Sequence, residues 1–86
     1  MKKHSHMFVE TYNGLVGFGL NRETDEHTVM YCLQKFSDDR VMEYLRSRLT
    51  DAELEEIFNL ITRLVKTHLT EADYHRLFLK DDDPAS

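Results

Sequence analysis

Histidine, cysteine and glycine are the residues of this 86-residue chain with the clearest capacity for chemistry. Gly14, Gly17 and Gly19 crowd into "HMFVETYNGLVGFGL", residues 6–20, and glycine-rich loops can cradle a phosphate. Their order, however, is the reverse of the dinucleotide fingerprint. No Lys-Ser/Thr pair follows, and no helix opens directly at Gly19 to present its N-terminus. A phosphate site is therefore not expected, and no cofactor is assigned.

The five histidines raise a metal site. His4 and His6 alternate, so an extended backbone projects them to one side, and His68 and His75 flank the Leu69-Thr70 junction. These four are the metal candidates. Each also has an ordinary explanation: His4 and His6 sit in a segment expected to be mobile. His68 sits where a histidine donates to the last carbonyls of a helix, and His75 borders an apolar face. His27 falls in an exposed first turn. No HExxH or CxxC spacing ties any of them to a metal, so no metal is assigned.

Nucleophilic chemistry finds less support. Cys32 falls on the apolar side of a helix with Val29, Leu33 and Phe36, which predicts a buried, inert thiol. No serine stands at a recognised spacing from a histidine and a carboxylate. The adjacent Glu55 and Glu56 read as a solvated helix face. No enzyme is expected.

These groups have to be positioned by elements, and helix starts are the most legible of them. Three segments share one phrase: Phe36-Ser37-Asp38-Asp39-Arg40-Val41, Leu49-Thr50-Asp51-Ala52-Glu53-Leu54 and Leu69-Thr70-Glu71-Ala72-Asp73-Tyr74. In each a hydroxyl precedes acidic residues and can accept from a free first-turn N–H. Glu53 and Asp73 can reach back as capping-box partners, the shorter Asp less well. Apolar residues flank each start at hydrophobic-staple spacing. Helices are predicted at about 38–48, 51–68 and 71–79, with an earlier one at about 25–35 led by Thr24-Asp25-Glu26. Along 51–68, Leu54, Ile57, Phe58, Ile61, Leu64, Val65 and His68 form one stripe. Acids gather at the start of this helix and Arg63, Lys66 and His68 at its end, which suits the helix dipole.

Ahead of the helices, Asn13-Gly14 between two apolar-rich runs predicts an antiparallel hairpin over about 7–20. Its pairing sets Tyr12 opposite Leu15, Val9 opposite Phe18 and Phe8 opposite Gly19. The expected fold is therefore α+β, a two-stranded hairpin followed by four helices. Residues 1–80 form one domain, and 81–86 an acidic, flexible tail.

The net charge of −5 opposes a general attraction to nucleic acid or anionic lipid. A helix-turn-helix regulator is the alternative to weigh. Its recognition helix would begin with Asp51, Glu53, Glu55 and Glu56, which phosphates repel, and Arg40, Arg46 and Arg48 are its only basic cluster. No apolar run reaches a membrane-spanning length, and Met1-Lys2-Lys3 leads into no signal-like apolar segment. One cysteine cannot form an internal disulfide, which fits a cytoplasmic setting.

A protein-interaction module remains. A hairpin with two open edges invites a second strand, so self-association is expected through Phe8, Glu10, Tyr12 and Leu15 as a homodimer. A histidine-based metal protein is the other alternative.

Overall fold

The computed structural model describes residues 3–81, which contain helices and loops and no β-strand. Two compact units divide the chain, Met1–Arg48 and Leu49–Ser86. The sequence calls for an α+β fold; the described residues form helices joined by loops, and the expected hairpin is absent.

The N-terminal unit holds α1 (Met7–Thr11), α2 (Arg22–Phe36) and α3 (Asp39–Leu45). Where the first hairpin strand was expected, α1 makes little more than one turn. No side chain of its own caps it. Instead the free first-turn N–H of Val9 donates to Gln34 Oε1 on α2 at 2.9 Å. Backbone that would have paired across a hairpin is claimed in the same way further on. Gly17 N–H donates to Thr28 Oγ1 at 2.9 Å, and that hydroxyl donates back to the Gly17 carbonyl at 3.1 Å. Gly19 N–H donates to Asp25 Oδ1 at 2.8 Å. A strand ladder and these side-chain acceptors compete for one set of backbone groups, and a buried peptide group needs one partner or the other. The acceptors of α2 win.

The glycines serve this loop. The Tyr12 ring folds over Gly14, where any Cβ would lie 2.5 Å from the phenol oxygen, and Gly19 has φ +94°. Tyr12 OH donates to the Leu15 carbonyl at 2.7 Å.

Segment 4–6 is tied to the α2–α3 junction. Ser5 N–H donates to Asp38 Oδ1 at 2.7 Å, Asp39 N–H donates to Ser5 Oγ at 3.2 Å, and the His6 ring meets Ser37 Oγ at 3.0 Å. Asp38 also caps α3 by accepting from Arg40 N–H, so α3 begins one residue later than a Ser37 cap implies. Similarly, Asn21 rather than the Thr24-Asp25-Glu26 phrase starts α2, its side chain accepting from Thr24 N–H. Among the described residues of the unit, Val9, Thr28 and Asp38 are buried.

The C-terminal unit holds α4 (Asp51–His68) and α5 (Glu71–Asp73), which continues into a π-helical turn at Tyr74–Leu79. α4 occupies the span its caps predict. Both capping-box bonds form, Glu53 N–H to Thr50 Oγ1 at 3.1 Å and Thr50 N–H to Glu53 Oε1 at 2.9 Å. The Thr70 cap accepts from Asp73 N–H at 3.1 Å, but the Asp73 carboxylate turns to Arg76 instead of reaching back. Lys80, at φ +61°, ends the π turn, and the N–H groups of Lys80 and Asp81 both donate to the His75 carbonyl. The expected tail, but for Asp81, lies outside the described residues.

Candidate protein-interaction surface

The apolar stripe of α4 is laid out on one side of a regular helix, because every position from Asp51 to His68 keeps helical geometry. In a globular helix such a stripe lies against a core. Here it does not. Among the described residues of the C-terminal unit none is buried. Phe58 is 67% exposed, and Leu54, Ile61 and Leu64 are each more than 40% exposed.

Within this unit the stripe continues into a second apolar wall. Tyr74 and Phe78 stack at 5.4 Å on the π turn. With Phe58, Ile61 and Val65 of α4 they bound an open notch of about 490 Å³. Lys66 and Glu71 stand at its polar margin. Its shape and chemistry suit an apolar side chain or helix from another protein, flanked by charges of both signs.

The residues expected at a strand-edge interface are placed otherwise. With no strand among the described residues there is no edge for them to occupy. Phe8 stacks on Tyr12 at 5.0 Å, and both lie near His27. Glu10 accepts from the amides of Lys3 and His4, which hold its carboxyl below the ordinary value. Of the four, Leu15 is exposed.

The four metal candidates are dispersed among other partners. His4 Nδ1 meets Glu10 at 3.1 Å, and His6 meets Ser37. His68 ends α4, exposed. His75 lies 2.8 Å from Asp81 and 3.3 Å from Glu71, and these carboxylates, Asp81 foremost, raise its pKa above the ordinary histidine value. Among the described residues no group of three or more His, Cys, Asp or Glu side chains is arranged to hold a metal ion.

Cys32 is exposed, which corrects the expectation of a buried thiol. Val29, Leu33 and Phe36, its neighbours on α2, are exposed as well, so the helix face read as core is only partly covered. The basic cluster of the helix-turn-helix reading is engaged in part: Arg46 reaches Glu43 at 3.5 Å, and Arg48 lies 3.8 Å over the Tyr44 ring. No helix among the described residues is long and apolar enough to cross a membrane.

Sequence reasoning located the α4 stripe only as a helical pattern, and so passed over it as a surface. Its distinguishing signal is an absence of chemistry elsewhere: no second stripe of matching length stands in residues 69–81 to cover it. No protein-family model matches the chain, and no curated protein or solved structure shows significant similarity to it.

Proposed function

We propose that this chain is a non-enzymatic protein-interaction module of the cytoplasm, and that its binding surface is the apolar face of α4 with the adjoining Tyr74–Phe78 notch. One observation carries this reading: an 18-residue helix displays a complete apolar stripe with no described residue of its unit buried. In folded proteins packing of an amphipathic helix's apolar face supplies most of the helix's stability. Contiguous exposed apolar surface rimmed by charge is the usual mark of a protein-binding site.

The test is photo-cross-linking in the cell, with a photoreactive amino acid at Phe58 on the stripe and, separately, at Glu56 on the opposite side. Discrete adducts from position 58 and not from 56 are the expected result. Position 58 yielding no more adduct than position 56 would remove the reading.

A further inference from the structure

The ring of His75 is held from both sides. Nδ1 lies 2.8 Å from Asp81 Oδ1, and Nε2 lies 3.3 Å from Glu71 Oε2. Only the imidazolium carries a proton on each nitrogen; a neutral ring has one N–H to offer. Two carboxylates on one ring therefore match its charged form, and loss of a proton dismisses one of them.

The two carboxylates are not equally tied. Asp81 is anchored to His75 a second time, because its own N–H donates to the His75 carbonyl at 3.0 Å. The Lys80 N–H donates to the same carbonyl and fixes the end of the π turn there. Glu71 comes from one helical turn back, by a flexible side chain that is 87% exposed. An exposed pair of this kind is weak and parts once the charge that holds it is gone. The neutral ring thus keeps its proton on Nδ1 for Asp81, and Glu71 is the partner released.

The neighbouring charges do not take over either role. Asp73 is paired with Arg76 at 2.8 Å, and Lys80 Nζ donates to the Leu77 carbonyl at 3.2 Å. Tyr74 meets the His75 ring edge-on at 5.8 Å. From α4, Lys66 stands at the margin of the notch, and Glu71 shares that margin. What happens to Glu71 is therefore felt where the apolar walls of Phe58, Ile61 and Phe78 open to solvent.

We propose that His75 is a pH-operated latch on this notch: the charged ring holds Glu71, and the neutral ring frees it as an unpaired carboxylate at the notch margin. The latch stands on the geometry of the ring; its use in regulating a partner rests on the interaction-module reading. Asp81 first, and then Glu71, raise the pKa of His75, so the latch stays shut below the raised value and opens as pH climbs through it. A partner carrying negative charge beside its apolar anchor is then disfavoured at the higher pH.

NMR on the full chain tests this. Long-range proton–nitrogen spectra should show both His75 nitrogens protonated at the acid end, and Nδ1 alone protonated above the midpoint. Three-bond couplings in the Glu71 side chain should report one rotamer below the midpoint and lose that preference above it. Asp81→Asn should invert the choice, moving the lone proton to Nε2 and keeping Glu71 in place. A neutral wild-type ring protonated on Nε2, or Glu71 couplings that do not change through the midpoint, would overturn the latch. Neither result touches the adducts expected from position 58. If the latch works and those adducts are missing, it is the interaction-module reading, and with it the regulatory use, that falls.

Discussion

The two halves of this chain reach a folded backbone by different means. In the N-terminal unit the decisive bonds span long stretches of sequence: Ser5 to Asp38, Val9 to Gln34, Gly17 to Thr28. In the C-terminal unit the side-chain hydrogen bonds described link residues no more than six apart. One half closes on itself with polar clamps. The other is a run of well-capped helix that finishes with its apolar side uncovered. Local capping suffices to start and stop a helix, but it buries nothing, and burial is where most stability arises. A half built only from local signals is therefore the half left with apolar surface uncovered.

The sharpest way to break this contrast is Phe58→Glu. It should abolish association and leave the N-terminal unit intact, which heteronuclear NMR would show as unchanged Gly17 and Thr28 amide signals beside shifted α4 signals. Global collapse of the spectrum would mean the halves do not differ as described.

Thr28→Val strikes the other side. It keeps the shape but strips both partners from the Gly17 peptide, at a cost of about 1–3 kcal/mol for polar groups left unsatisfied. Urea denaturation followed by tyrosine fluorescence should register that loss without any change in cross-linking from position 58.

Thr50→Ala removes the α4 cap and half of its capping box, and should cost about 1 kcal/mol in the helicity of the C-terminal unit. The effect should be partly masked when a partner occupies the α4 face, since binding to the folded form stabilises it.

Acid and base should separate the units more gently. The Ser5 amide, foremost, lowers the pKa of Asp38, so its contribution is complete above the ordinary aspartate value and is lost as pH falls through the lowered one. His75 runs the opposite way. Its pKa is raised by Asp81 and Glu71, so its contribution is complete below the ordinary histidine value and fades as pH rises through the raised one. Both groups are tracked by NMR titration. Asp38→Asn should weaken the acid response of the N-terminal unit and leave the share of Glu10, whose pKa the Lys3 and His4 amides also lower, and Asp81→Asn should bring the His75 midpoint down. The His75 effect is the smallest of the set, because its carboxylate partners are exposed.

The same contrast explains what the sequence made legible. Thr50 with Glu53 announces α4 to the residue, because a cap is a bond between neighbours. Thr70 does the same for α5, although nothing in Tyr74–Leu79 signals that the helix widens to a π turn. The N-terminal reading failed because Asn13-Gly14 between apolar runs is a sound hairpin signal taken alone. Its outcome was decided by Asp25, Thr28 and Gln34, acceptors 6 to 25 residues away from the groups they hold. The α4 stripe was legible as a pattern but not as a surface, since periodicity says that a face must be covered and not by what.

The clamp between Ser5 and the α2–α3 junction also orders events in time. Its acceptor lies 33 residues downstream, so during synthesis the N-terminal segment has no means of closing until Asp38 has emerged from the ribosome. The cap of α4 is under no such constraint: Thr50 and Glu53, which make both of its capping bonds, lie three residues apart. Every nascent chain thus carries the Ser5 amide without its Asp38 acceptor until 33 further residues have been made.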